Sequence, residues 1–283
     1  MRFVSYNIQF GTGKDGKVDL ARIAGEIGDA DVIALQEVVR RPTDDGGFSD
    51  QPAAFAELFP EHYWVYGAGI DIHCVGDGPG DNRRRQFGNM LLSKTPILSH
   101  RNHLLPKHGT LNVLSIQRST VEGVVDTPSG PLRVYSVHLG HASNVERIEQ
   151  CERLQELIAA PRTEGGVRTG SDEGPELAPP MPDSALLMGD FNFQGDSEEY
   201  DLLCGEFDEF YGRVSNLHNL IDVWEAAGND SADCVTCDTT KKGRIRLDYG
   251  FVTPDLAGKV KAMSVGNDAV GSDHQPIYIE LDL

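Results

Sequence analysis

Basic residues are scarce in this chain, with 25 Lys and Arg against 44 Asp and Glu, a formal net charge of −19 over 283 residues. Such a field repels polyanions, so no broad nucleic-acid surface is expected, although a local basic pocket or a cation held in an acidic cleft is compatible with it. Aromatic residues make up only 7%, and no loop interleaves them with basic residues as a base-stacking surface does. No apolar run approaches the roughly 18 residues of a membrane-spanning helix, so integral membrane association is not expected. Strand-like sequence begins at Phe3 without a charged leader, a hydrophobic stretch and a cleavage site, which makes the cytoplasm the expected location. The five cysteines, at 74, 151, 204, 234 and 237, are scattered. Cys234 and Cys237 have C-x-x-C spacing, but no second pair completes a zinc site and no strand–helix–strand redox context surrounds them. They read as small residues in a loop.

What is present is ordinary core material, 39% hydrophobic residues, in a length that suits one large α/β domain or two smaller ones. Residues 2–8 read as an opening strand ending near Asn7. Residues 18–29 follow helical spacing through Val18, Leu20, Ile23, Ala24 and Ile27. Residues 31–35 form a short apolar strand that stops at Gln36-Glu37. A polar loop over 40–50, a short helix over 51–59 and a strand over 63–66 come next. Residues 67–86, rich in Gly and Asp and closing on Arg83-Arg84-Arg85, read as a long loop. Strands are expected over 88–93, 97–105, 113–125 and 131–139, the last two as a hairpin. Ser143 and Glu146 form a capping-box pattern ahead of a helix with Val145, Ile148, Cys151, Leu154, Leu157 and Ile158 on one stripe. Residues 161–183, dominated by Pro, Gly and charge, read as a flexible surface excursion rather than a domain linker. A strand over 184–189, a short helix over 197–203, a strand or turn entering a helix over 217–227, and strands over 247–253, 260–265 and 276–281 complete the pattern.

The most informative stretch is Leu186-Leu187-Met188-Gly189-Asp190-Phe191-Asn192, an apolar run broken by a carboxylate and an amide. In extended chain Asp190 and Asn192 point to the same side, because side chains alternate with period two. Such a pair suits holding a water and a phosphate oxygen; the plain alternative is a strand end whose Asp and Asn make a turn. Company decides between them. Asn7, Glu37, His138, Asp190 with Asn192, Asp248, and Asp273 with His274 all fall at strand ends or in the loops just after, which is how one rim is assembled from many strands.

The motifs SYNI (5–8), LQEV (35–38), SVHLG (136–140), GDFN (189–192), RLDYGFV (246–252) and SDHQPI (272–277) occur in an order that resembles the endonuclease/exonuclease/phosphatase superfamily, the DNase-I-like metal-dependent phosphoesterases. The likeness covers the whole chain. It implies a single domain over 1–283, a four-layer α/β sandwich with two packed mixed β-sheets flanked by helices, and an Mg²⁺ cofactor for which Mn²⁺ can substitute. It implies Glu37 as principal metal ligand with Asn7 beside it and Asp273 on the metal side. It also implies that Asp190 orients or deprotonates the attacking water, that Asn192 and His138 bind phosphate, and that His274, its ring fixed by Asp248, stabilises the transition state. The chemistry suits these residue types: a phosphoester repels hydroxide until its oxygens are neutralised, and a hard cation needs only one or two carboxylates to do so.

Each position has a plainer reading. Asn7 caps a turn, His138 is a hydrogen-bonded core histidine, Asp248 pairs with Lys241, Lys242 or Arg244, and Asp273 caps rather than ligates. Gln9 stands where DNA-repair members carry a carboxylate, which puts a second metal in doubt, and His141 is either a further phosphate contact or an exposed helix leader. Arg83-Arg84-Arg85 and Lys241-Lys242-Gly243-Arg244 are the dense basic clusters; they either meet a substrate or pair with neighbouring acids. Arg85 and Asn89, the latter starting a strand, are candidate substrate contacts. The expected protein is a monomeric hydrolase of a small phosphoester or phospholipid head group. A nuclease and a catalytically silent binder on the same scaffold are the alternatives.

Overall fold

The computed structural model describes residues 1–44, 46–74, 78, 83–170, 179–230, 233–239 and 243–283. The first large sheet contains β1 (Arg2–Asn7), β2 (Val32–Pro42), β3 (Phe48–Asp50), β4 (Tyr63–His73), β5 (Arg84–Ser93), β16 (Val260–Val265) and β17 (Ile277–Leu281). Its order is β16-β17-β1-β2-β5-β4, with β3 attached to β2. The second contains β6 (Ile97–Leu104), β7 (Ser119–Thr127), β8 (Gly130–His138), β9 (Ala185–Asp190), β12 (Ile221–Asp222) and β15 (Asp248–Val252), in the order β12-β15-β9-β8-β7-β6. Both sheets are mixed, with β1 parallel to β2 and β8 parallel to β9. Two short hairpins, β10 (Glu206–Asp208) with β11 (Gly212–Val214) and β13 (Cys237–Thr239) with β14 (Gly243–Ile245), lie apart from them.

Strand alternation produces the layers. Phe3 of β1, Val32 and Ala34 of β2 and Leu91 of β5 join a core with Val134, Leu186 and Met188 of the facing sheet. Their neighbours Val4, Tyr6, Ile33 and Leu35 face the other way, onto α1 (Leu20–Ile27) and α2 (Gln51–Leu58), where Ile23, Ile27 and Phe55 meet them. In the second sheet Tyr135, Val137, Leu187 and Phe251 turn outward onto α3 (Asn144–Ala159) and α5 (Glu198–Cys204), through Cys151, Leu154 and Leu203. Helix, sheet, sheet and helix therefore stack in four layers, each held by burial of one apolar face. Burying one such side chain stabilises by about 1.5–3 kcal/mol. Two short helices, α4 (Pro161–Glu164) and α6 (Val223–Ala226), complete the elements. Ser143 caps α3 by accepting from the Glu146 amide, but Glu146 does not answer reciprocally; its carboxylate accepts from the His108 amide at 2.7 Å.

Between the sheets the filling changes from apolar to polar toward one end. Gln36 Nε2 donates to Ser136 Oγ at 3.0 Å, and Ser136 Oγ donates to the Leu35 carbonyl. Asn89 Nδ2 donates to the carbonyls of Ser119 and Ser136. Each bond runs from the first sheet to the second, so buried polar groups are satisfied and the register between sheets is pinned.

The largest departure from the sequence reading is the long loop expected over 67–86. β4 and β5 instead pair from Tyr63↔Ser93 as far as His73↔Arg84. The glycines there serve close approach rather than turning: a Cβ on Gly88 would meet the Gly67 carbonyl oxygen at 2.0 Å, and one on Gly69 would meet the Gln117 carbonyl oxygen at 2.5 Å. β2 likewise runs on to Pro42 and pairs with β3, replacing part of the polar loop expected over 40–50. β7 begins at Ser119 rather than 113. Of the excursion expected over 161–183, residues 161–164 are helical and 171–178 lie outside the described residues.

Candidate active site

Three neighbouring strands of the second sheet deliver their polar residues side by side. His138 on β8 pairs in register with Asp190 on β9, and Asp190 with Asp248 on β15. All three share the parity of the inward-facing Val134, Met188 and Val252, so all three side chains enter the space between the sheets. The first sheet answers with Asn7, two residues beyond Ser5 at the end of β1, and with the Ser272–His274 turn that leads into β17. Glu37 needs a special device. Its parity on β2 points it away from the cleft, but the pairing with β5 slips between Leu35 and Val38, and Glu37 takes φ 61°. The bulge re-aims its carboxylate inward. The strand end expected at Gln36-Glu37 is thus a bulge within a longer strand.

The seam between the sheets is crossed by the site's own bonds. Asn7 Nδ2 donates to Asp190 Oδ2 at 3.0 Å, and His274 Nδ1 lies 2.8 Å from Asp248 Oδ2. Asp190 Oδ2 is also 3.4 Å from His138 Nε2 and 3.7 Å from His274 Nε2. Asp190 Oδ1 accepts the Asn192 amide, and Asn192 Nδ2 donates to the Leu139 carbonyl. Thr236 Oγ1 accepts both the Leu247 and Asp248 amides, while its carbonyl accepts the Gln275 amide. One buried threonine therefore braces both partners of the Asp248–His274 pair. Ser272 Oγ donates to the Asn7 carbonyl and accepts the His274 amide, fixing the turn.

The electrostatics follow from burial and company. Burial opposes charge on His274, but Asp248 and Asp190 outweigh it and hold the imidazolium well above the ordinary histidine range. Burial pushes the Asp248 carboxyl up against the pull of His274. The Glu37 side chain is 18% exposed and lies 3.9 Å from His138 Nε2. Burial, reinforced by Asp190 and Asp273 and opposed by Arg118 and His274, raises its carboxyl to about 7.

A cleft of about 310 Å³ opens over this arrangement, lined by Glu37, Asp190, Asn192, His138, His141, Asp273 and His274 among others. Several expected residues lie elsewhere. Asn89 is 1% exposed and its amide serves the sheet seam, so it is not a cleft residue. Arg85 is exposed in a neighbouring groove. Asn7, expected on the metal side, does not line the cleft, since its amide holds Asp190 and its Oδ1 accepts the Gln9 amide. Asp248 stands behind His274, paired with it rather than with Arg244; Lys241 and Lys242 lie outside the described residues.

Sequence reading missed Arg118. Only 4% exposed, it places Nη1 2.9 Å from His138 Nε2 and Nη2 3.0 Å from His141 Nδ1, and its buried Nε has no hydrogen-bond partner. Its cation stands over the Phe87 ring at 5.6 Å. Burial lowers its pKa, against the fields of Glu37, Asp190 and Glu146, yet a guanidinium stays charged. The available signal was an arginine at the entry to an apolar strand. Arg118→Met is expected to slow phosphoester turnover by about 10²-fold, the scale for loss of one charge-assisted donor. An unchanged rate at saturating substrate would place Arg118 outside the chemistry. Phe10 was missed too, and Gln9 was singled out only for the second metal it puts in doubt. With Glu37 and Asn192 they are the non-glycine residues with positive φ among the described residues, at 44°, 58°, 61° and 54°, and all four line this cleft. Strain of about 1–3 kcal/mol each is concentrated where the side chains must be aimed.

The cleft residues fit a hard divalent cation. Glu37 presents a mostly buried carboxylate with no ion-pair partner nearer than His138 among the described residues, and Asp273 lies on the same wall. Two such oxygens suit a cation that keeps several waters. Asp190, Asp248 and His274 also bring ligand atoms within 4.8 Å of one another, but His274 Nδ1 and Asp248 already hold each other. That set favours a buried ion pair over a metal centre.

Comparison with known proteins agrees with this geometry. The sequence model of the Endonuclease/Exonuclease/phosphatase family matches residues 4–274, and the chain belongs to that family of phosphoester hydrolases, whose members generally depend on divalent metals. Among solved structures, the fold is shared with an endonuclease/exonuclease/phosphatase from Beutenbergia cavernae at 22% identity and TM-score 0.68, covering all of this chain and 71% of that one. A mannosyl-6-phosphatase from Bacteroides thetaiotaomicron, at 18% identity and TM-score 0.69, is covered in full on both sides. The human Nocturnin catalytic domain, at 17% identity and TM-score 0.57, covers all of this chain and 94% of its own. No curated protein sequence matches the chain. Among the described residues no helix is long and apolar enough to cross a membrane.

Proposed function

We propose that the protein is an Mg²⁺-dependent phosphoesterase that hydrolyses a small phosphoester or phospholipid head group by in-line attack of water. The observation that carries this reading is the convergence on Asp190 Oδ2 of Asn7, His138 and His274, with Asp248 behind His274. Asn7 fixes the carboxylate from one side and the Asn192 amide fixes it from the other, so Asp190 is held ready to take a proton from water. As the water oxygen forms its bond to phosphorus, the ester P–O bond breaks and the leaving oxygen is protonated from the cleft. His274, kept charged by Asp248, donates to the oxygen on which negative charge grows. Arg118, with His138 and His141, holds the non-bridging oxygens, and Asn192 orients the phosphate. Glu37 and Asp273 would hold the cation, with Mn²⁺ as a substitute. When bound, it neutralises phosphate oxygens as a Lewis acid. Placement in the cytoplasm as a monomer is part of the same reading.

The test is a phosphoester panel in Mg²⁺ or Mn²⁺: bis-(p-nitrophenyl) phosphate, p-nitrophenyl phosphate, inositol phosphates, sphingomyelin, and DNA and RNA oligonucleotides. Metal-stimulated turnover of a small ester, with oligonucleotides poorer, is expected. Faster cleavage of oligonucleotides would make the protein a nuclease despite its net charge of −19. Release no faster than in buffer on every substrate would make it a binder.

A further inference from the structure

Beyond the catalytic cleft the surface continues into a second depression of about 670 Å³ that shares Phe10, Phe87, Leu114 and Ile116 with it. The two depressions therefore adjoin across these residues, with the Phe10–Phe87 pair, ring centroids 5.8 Å apart, at the junction. Past the junction the walls are aliphatic, from Val39, Pro42, Ile70 and Ile72. Several of these surfaces are open to solvent: Leu114 is 71% exposed and Ile72 50%. Two arginines line the same stretch. Arg41 sets its guanidinium over the Phe10 ring at 5.5 Å, and Arg85 is exposed. Neither makes an ion pair among the described residues. Among the described residues lining this stretch Asp44 is the acidic group, so two guanidinium groups face one carboxylate there.

We propose that this depression is the subsite for the organic group of the substrate, and that this group is an aliphatic chain ending in a second anionic centre. The proposal rests on the phosphoester reading of the cleft. With the phosphate against Arg118 and Glu37's cation, the ester group has its route outward over Phe10 and Phe87. Apolar walls give a hydrocarbon chain what water does not, while Thr43, Asp44 and Gln86 beside the two arginines give the same depression a polar side that suits a chain with a polar end. Arg41 and Arg85 give a carboxylate or second phosphate a planar, charge-assisted partner. A nucleobase fits less well, because Phe10 and Phe87 touch each other at a tilt of 50° and leave no slot between them. Leu114 and Ile116 belong to both volumes and so to the specificity of the site rather than to its chemistry.

Non-hydrolysable phosphonates separate this proposal from the catalytic reading. Titration calorimetry of the full chain in Mg²⁺ would compare methylphosphonate, hexylphosphonate and 6-phosphonohexanoate. Each lengthening is expected to tighten binding, with the hexyl chain gaining roughly tenfold or more over methyl and the terminal carboxylate adding a further gain. The double variant Arg41→Gln/Arg85→Gln should erase the carboxylate's gain and keep that of the chain. Ile72→Gln, in the outer depression alone, should cut the gain of the chain while methylphosphonate binds as before. Equal affinity for the three ligands, or loss of binding to all three in either variant, overturns the subsite. Graded binding without turnover of any ester would instead remove the catalytic reading and leave the subsite standing.

Discussion

Asp190→Asn is expected to lower phosphoester turnover by about 10²–10⁴-fold, the contribution of a positioned general base, while the protein stays folded. The substitution keeps shape and keeps an acceptor oxygen for one of the two donors that hold the carboxylate now, the Asn7 amide on Oδ2 and the Asn192 backbone on Oδ1. What it removes is the ability to accept a proton and the negative charge that faces His138 and His274. The loss should therefore fall on kcat, with KM changed little, and should not be rescued by more metal. Circular dichroism and thermal unfolding would establish the fold. A variant within about threefold of wild type would sink the base assignment.

Glu37→Gln is expected to separate function from stability in opposite directions. In the metal-free protein the folded-state carboxyl titrates near 7, against an ordinary value of 4.5. Below the ordinary value both folded and unfolded chains carry the proton. Between the two values only the folded chain keeps it, so stability falls as pH rises through this window, and the whole penalty is present above 7. Its scale is about 3 kcal/mol. Metal-free Glu37→Gln should therefore melt higher than metal-free wild type at pH 8 and match it near pH 4. Mg²⁺ should raise the Tm of wild type at pH 8 and leave the variant unmoved, because the ligand that favoured the folded form is gone. Metal-stimulated turnover should vanish with it. A variant that still gains stability from Mg²⁺ as wild type does would remove Glu37 from the metal.

The residues that were legible in the sequence share one property: each interrupts an apolar run of known parity. Asp190 after Leu186-Leu187-Met188 and His138 after Tyr135-Ser136-Val137 could be assigned to strand ends, and from there to a common rim. The four-layer arrangement was legible only through the resemblance that the ordered motifs carry; the alternation that divides Phe3 from Val4 and Leu186 from Leu187 accords with it in the structure. Three features were hidden because they depend on contacts distant in sequence. The bulge at Glu37 exists only against β5. Asn89 has the parity of a cleft residue but sits one layer deeper, beneath Ser119 and Ser136. Gly67, Gly69 and Gly88 look like loop residues until the backbone that crowds them is known. Arg118 was missed on different grounds. Nothing local distinguishes a buried arginine braced by two histidines from one that snorkels to solvent.

The catalytic groups hang from both sheets and from neither alone. Glu37 and His274 come with one sheet, Asp190, His138 and Asp248 with the other, and the Asn7–Asp190 and His274–Asp248 bonds bridge them. Turnover is therefore a gauge of whether the two halves are docked, at a resolution of about an ångström. During refolding, secondary structure can return in each half while the enzyme stays silent, and activity marks the closing event. The same geometry means that two fragments of a chain cut between α3 and β9, one carrying Glu37 and His138 and the other Asp190, Asp248 and His274, would each be inert, and that catalysis regained on mixing them would count the productive encounters.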